Sequence, residues 1–256
     1  MWKQISNEEY HGEYRNYLGS SDLRRLLRSP AHYRCPPTSP SEAQEFGTLV
    51  HEAVLEPELW AARRRPLVKH DRRTKEGKAI AEWAELQEQS LGLKFVPEHT
   101  YNKVCAIADS VSASLGTTSI LTGGVAESSG FTELNGQPVK IRPDYMTDEV
   151  IVDLKTTVDA REFERSVFTF GYDIQAAFYT EVAKVIDGKS RKFIWIVVEK
   201  DAPYGVQIYE PSEEVMERGL NLVKRGIETY KECAALDAWP GYSSKTQTIQ
   251  LPRWIK

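Results

Sequence analysis

Cysteine is scarce in this chain. Only Cys35, Cys105 and Cys233 occur in 256 residues, far apart from one another. An odd, unclustered set argues against both a disulfide framework and a thiolate metal cluster. Also missing is any apolar run near the ~20 residues that span a bilayer. Met1-Trp2-Lys3-Gln4-Ile5-Ser6 has no apolar stretch behind its single charge, so no signal peptide is expected and a cytoplasmic location is. Internal repeats and low-complexity linkers are absent, which favours one domain. What is present is a globular balance, 41% hydrophobic and 27% charged, enough to close a sizeable core.

A strong positive total is lacking too: the formal charge is −4. Its distribution is uneven, because residues 61–80 carry eight Lys or Arg against Asp71 and Glu76. That segment is +6 and the rest of the chain −10. Screening limits each charge to roughly 8–10 Å, so a basic stretch on an acidic body can still hold a polyanion. A solvated loop entering a helix is the equally good alternative.

Helix starts are expected at Ser20-Ser21-Asp22, with a stop near Pro30, and at a capping box Ser39-Pro40-Ser41-Glu42. The latter helix should run to Leu55 and end before Pro57, after a Pro-rich loop Cys35-Pro36-Pro37-Thr38. Further helices are expected near 76–91, stopped by Gly92, and near 101–115, stopped by Gly116. Beyond residue 123 the period changes. Asn135-Gly136 predicts a hairpin of strands near 129–134 and 138–146, and Asp148-Glu149 a second turn into Val150–Lys155. A helical region at about 159–186, broken near Gly171, precedes Phe193–Val198, which is apolar on both faces like a buried strand. This crossover predicts that 150–155 and 192–198 run parallel. A strand near 205–209 and a helix near 212–235 follow; the tail, with Trp239 and Trp254, is unassigned.

If Asp148-Glu149 is a two-residue loop, residue 145 pairs with 152 and Asp144 lies opposite Asp153 on one face. Lys155 shares that face, while Val152 and Leu154 point into the core. Facing carboxylates repel and need a proton or a cation between them; a hard divalent metal suits them better than Lys155 alone. Such a centre stabilises the phosphoryl transition state, which makes phosphodiester hydrolysis the natural chemistry. The plain alternative is a solvated acidic hairpin neutralised by Lys155.

Pro143-Asp144 followed by Asp153-Leu154-Lys155 resembles the PD-(D/E)xK nuclease signature. Gly47-Thr48-Leu49-Val50-His51 resembles the helical G-x-x-x-H motif of the RecB-like branch, and Gln175-Ala176-Ala177-Phe178-Tyr179 its Q-x-x-x-Y motif. Ser20-Ser21-Asp22, Pro30-Ala31-His32-Tyr33, the run His51–Pro57 and the run Arg72–Lys78 are similar to the nuclease domain of the RecE (exodeoxyribonuclease VIII) family and its phage relatives. The similarity extends over about residues 18–235.

The resemblance implies an α/β fold with a PD-(D/E)xK restriction-endonuclease-like core, a central mixed β-sheet flanked by helices. The expected domain has a helical part at about 18–120, a catalytic core at about 123–235 and a tail at 236–256. It implies a Mg²⁺-dependent exonuclease (Mn²⁺ as substitute) acting on double-stranded DNA ends, degrading the 5′-ended strand and leaving a 3′ overhang for recombination. His51, Asp144, Asp153 and the carbonyl of Leu154 are the implied metal ligands, and Lys155 the catalytic lysine. A homo-oligomeric ring and a single-strand annealing protein as partner are implied as well, with no membrane involved. The alternatives are an endonuclease or repair nuclease of the same superfamily, or a catalytically silent DNA-binding or assembly subunit.

Other residues are read more loosely. Gln175 and Tyr179 either support the site or form a helix edge beside a stripe of Ile174, Phe178, Val182 and Val185. Arg72, Arg73, Lys75 and Lys78 are placed to hold DNA phosphates without reading sequence. Gly47, one turn from His51, leaves room for close approach. Glu127 is read as a surface carboxylate, with a supporting place beside the site as the lesser alternative. Trp60, Trp83 and Trp195 are read as core or edge packing.

Overall fold

The computed structural model describes residues 1–36 and 39–251; Pro37 and Thr38 of the Pro-rich loop and Trp254 of the tail lie outside them. The first half comprises β1 (Trp2–Lys3), α1 (Asn7–Gly12), α2 (Ser20–Arg28), α3 (Pro30–Arg34), α4 (Glu42–Leu55), α5 (Pro57–Arg63), β2 (Arg64–Leu67), α6 (Lys75–Leu91), β3 (Lys94–Pro97), α7 (Glu98–Ala113) and α8 (Leu115–Ile120). The second half comprises β4 (Val125–Ala126), β5 (Ser129–Leu134), β6 (Gln137–Ile141), β7 (Tyr145–Met146), β8 (Val150–Thr157), a 3₁₀ turn (Ala160–Glu162), α9 (Phe163–Phe170), α10 (Tyr172–Asp187), β9 (Lys192–Glu199), β10 (Val206–Tyr209) and α11 (Glu213–Leu236). No helix among the described residues is long and apolar enough to cross a membrane.

The two prolines expected to close helices also open new ones. Pro30 and Pro57 each occupy the first turn of a short helix, where a missing N–H costs nothing. The cap of α4 is Ser41 rather than Ser39: its hydroxyl accepts from Gln44 N–H while the Gln44 side chain accepts from Ser41 N–H. Gly116 is not a stop. It lies inside α8, and α7 ends earlier because Thr117 donates its hydroxyl to the Val111 and Ser114 carbonyls.

The segment expected as one strand over 138–146 divides between two sheets. β6 pairs with β5 in a three-stranded sheet of order β1-β5-β6, whereas β7 belongs to a five-stranded sheet of order β10-β9-β8-β7-β4. The break falls at Arg142-Pro143-Asp144, where Pro143 has no N–H to give a ladder. The turn after β7 has the expected register, with Tyr145 opposite Val152 and Met146 opposite Ile151. β8 runs parallel to β9, as the crossover predicts, and β10 closes that edge antiparallel. Gly171, at φ +66°, separates α9 from α10 in a left-handed conformation suited to glycine.

Both faces of the five-stranded sheet are covered. Ile151, Phe193, Trp195 and Val197 pack against α10, α11 and α2 on one side. Val152, Leu154, Ile196 and Val198 pack against α4 and α7 on the other. Trp60 and Trp195 are buried, whereas Trp83 is exposed and lies against Phe95. Val185 drops out of the expected apolar stripe: at the carboxyl end of α10 it is 47% exposed, while Ile174, Phe178 and Val182 are buried.

Candidate active site

The middle of β8 and the residue preceding β7 form the centre of the site. Asp144 Oδ2 accepts the Leu154 N–H at 2.7 Å, clipping the broken segment onto the strand it faces. Asp153 is 1% exposed and ion-pairs through Oδ2 with Lys155 Nζ. Two helices on opposite faces complete the group. From α10, Gln175 donates to Asp153 Oδ1 at 2.8 Å. From α4, His51 Nε2 lies 2.7 Å from the Leu154 carbonyl and Nδ1 lies 3.5 Å from Asp144 Oδ2. A carbonyl can only accept, so Nε2 carries the proton in this arrangement and Nδ1 is left facing Asp144. Tyr179, one turn beyond Gln175, is buried beneath the same carboxylates.

A family profile described as a PDDEXK-like domain of unknown function (DUF3799) matches residues 20–252. The chain belongs to this PDDEXK-like family. No curated protein matches its sequence. A provisionally assigned exonuclease from Eubacterium rectale shares 17% identity over 99% of this chain and 97% of its own, with a TM-score of 0.66. That likeness concerns the fold. A phage-related exonuclease from Haemophilus somnus, 12% identical over 87% of this chain and 96% of its own, has a TM-score of only 0.32 and carries no argument.

In the PDDEXK-like centre, charge is crowded. Burial pushes the Asp153 carboxyl upward; Lys155 and His51 oppose that shift and Asp144 reinforces it. Burial works against the Lys155 ammonium, but Asp153 and Asp144 outweigh it and hold its pKa above the usual range. The Tyr172 ring, 4.9 Å from Nζ, lines the same pocket. Burial, with Asp144 and Asp153, raises the Tyr179 hydroxyl to about 12, so it stays a hydrogen-bond donor at neutral pH.

The donor set fits a hard divalent cation: carboxylates, a backbone carbonyl and one imidazole. Asp153 Oδ2 is buried and has no hydrogen bond of adequate geometry among the described residues, but it ion-pairs with the Lys155 ammonium. Glu127 changes places relative to the sequence reading. It is half-buried, and a carboxylate oxygen lies within 4.8 Å of ligand atoms of both His51 and Asp144. Burial, then Asp144, raises its pKa to about 8 against the opposing charge of Arg142. No motif marks Glu127; it arrives because its N–H bonds to the Asp144 carbonyl at 3.1 Å, a contact invisible until β4 and β7 pair.

The remaining expected residues stand apart from the acids. Arg72, Arg73, Lys75 and Lys78 are exposed around the start of α6, capped by Thr74; Arg73 pairs with Asp71. None of the four hydrogen-bonds or ion-pairs with the acidic group among the described residues. The space above Gly47 is open, with no atom within 4 Å of an added Cβ.

Proposed function

We propose that the chain is a Mg²⁺-dependent exonuclease, with Mn²⁺ as a substitute, that hydrolyses duplex DNA from an end. It degrades the 5′-ended strand and leaves a 3′ overhang for recombination. The observation that carries this reading is the convergence of Asp144 with Asp153-Leu154-Lys155 at one end of a hairpin, with His51 and Gln175 closing from opposite faces. Membership of the PDDEXK-like family supports it, and so does the sequence resemblance to the RecE family.

Asp144, Asp153, the Leu154 carbonyl and His51 would hold the cation, which when bound supplies Lewis acidity toward a phosphate oxygen and a water molecule. Gln175 fixes one oxygen of Asp153 and thereby orients the other. Lys155, kept charged by its two acidic neighbours, orients the attacking water and offsets charge developing on the phosphate. Tyr179, protonated and buried beside the acids, would offer its hydroxyl as a hydrogen-bond donor to them. Arg72, Arg73, Lys75 and Lys78 hold the duplex backbone without reading its sequence. The proposal includes assembly as a homo-oligomeric ring and action beside a single-strand annealing protein.

Digestion of end-labelled linear duplex, with and without chelator, tests the reading. Mononucleotide release from the 5′-ended strand that stops with chelator is the expected result. Release from the 3′-ended strand reverses the polarity; cleavage of a covalently closed circle replaces the exonuclease with an endonuclease. Tight DNA binding without hydrolysis in Mg²⁺ or Mn²⁺ leaves a silent binding subunit.

A further inference from the structure

The two sides of the site are neutralised very unequally. Both oxygens of Asp153 have protein partners, Gln175 on Oδ1 and the Lys155 ammonium beside Oδ2. Across the site, His51, Asp144 and Glu127 each present one ligand atom, all within 4.8 Å of one another. The Glu127 carboxylate accepts no hydrogen bond and forms no ion pair among the described residues. The nearest candidate cation, Arg142, is committed elsewhere, to Ser129 Oγ, Asn7 Oδ1 and the carbonyls of Ile5 and Ser6. That carboxyl group lies close to Asp144, with no protein cation paired to it among the described residues.

Three acid groups, Asp144, Asp153 and Glu127, share the site with the single ammonium of Lys155, and a divalent cation is what would let all three ionise together. The backbone delivers the Glu127 side chain at a cost, since this residue takes φ +52°, a left-handed conformation that a residue with a Cβ disfavours. Its N–H bonds to the Asp144 carbonyl, which ties the two acid-bearing segments together.

We propose that Glu127 is a direct ligand of the divalent cation, completing with His51 and Asp144 a second ligand face opposite Lys155. The inference rests on the metal-dependent reading above and adds to it a ligand that none of the sequence motifs contains. Glu127 contributes an anionic oxygen, which a hard cation prefers to the imidazole of His51.

The test is calorimetric titration of the full-length protein with Mn²⁺, comparing wild type, Glu127→Gln, Glu127→Asp and Asp144→Asn, with thermal unfolding of each in chelator. Glu127→Gln is expected to weaken Mn²⁺ binding at least about tenfold, on the scale seen when metal-site groups are removed. Its unfolding temperature in chelator should equal that of wild type, because the Glu127 side chain has no hydrogen bond or ion pair among the described residues to lose. Glu127→Asp, which withdraws the carboxylate by one methylene, should weaken binding to a lesser degree, and it carries the test if the Gln variant does not fold. Wild-type Mn²⁺ affinity in both Glu127 variants, with loss in Asp144→Asn, overturns the role of Glu127 and leaves the nuclease reading standing. Failure of the wild-type protein to take up Mn²⁺ overturns both.

Discussion

At the scale of single residues, Asp153 and Lys155 show why a pair of charges can persist in a protein interior. Neither is there for stability alone, since desolvating two ions costs about as much as their attraction returns. Removing one partner is another matter. Lys155→Met should destabilise the protein by about 3 kcal/mol, because it strands a buried carboxylate. Adding Asp153→Asn should recover most of that loss, a coupling readable by urea denaturation of the three variants. Both single variants and the double variant should lack nuclease activity. If Lys155→Met unfolds at the wild-type urea concentration, the pair does not hold the site in the way described.

Elements meet through a few close contacts, and two of them make sharp predictions. Helix α11 crosses α10 at Gly219, where a Cβ would lie 2.3 Å from the Asp173 carbonyl oxygen and 2.9 Å from Ala177 Cβ. Gly219→Ala must therefore push the helices apart, at a cost of about 1–3 kcal/mol. Since α10 carries Gln175, Gly219→Ala should also lower activity; unchanged unfolding temperature and activity would contradict the packing. At the other end of α10, Asp187 accepts from Trp2 Nε1 at 3.0 Å, from Lys189 N–H at 3.1 Å and from both arms of Arg191. Burial pushes its carboxyl upward, but the Arg191, Lys189 and Trp2 hydrogen bonds outweigh that and bring it to about 2, below the ordinary 3.8. A depressed carboxylate contributes stability above its unfolded pKa and loses it as pH falls through the folded one. Asp187→Asn should thus cost about 1 kcal/mol at pH 7, with allowance for solvent screening. The gap between variant and wild type should close as the pH approaches 2, and a gap constant from pH 7 to pH 2 would contradict it.

Across the whole molecule, charge is segregated: a +6 segment at residues 61–80 on an otherwise acidic chain. Overall acidity therefore says little about affinity for DNA, because screening makes the local patch decisive. DNA binding by the proposed nuclease should weaken steeply with salt. Replacing Arg72, Arg73, Lys75 and Lys78 by Gln should reduce the log–log slope by about 0.9 for each charge that contacts phosphate. Fluorescence anisotropy over a salt series measures this, and an unchanged slope would move the DNA path to another face.

Much of the site's core was legible beforehand for a physical reason. A two-residue turn and a period of two determine which strand residues face each other, so Tyr145 opposite Val152 and Lys155 beside Asp153 follow from local chemistry. Helix spacing likewise placed Gln175 and Tyr179 one turn apart, and the alternation of β8 sent Val152 and Leu154 to the opposite side. Local chemistry could not say that the stretch 138–146 would leave one sheet for another at Pro143, because that depends on which partner strands are available. Nor could it bring His51 to the Leu154 carbonyl across 103 residues, or turn Glu127 from the surface into the acids. The sequence by itself determined the turn after β7, the alternation of β8 and the faces of the longer helices, whose rules act over a few residues. Only the tertiary structure decided which of those faces share a pocket, because that outcome belongs to the packing of both layers against β8.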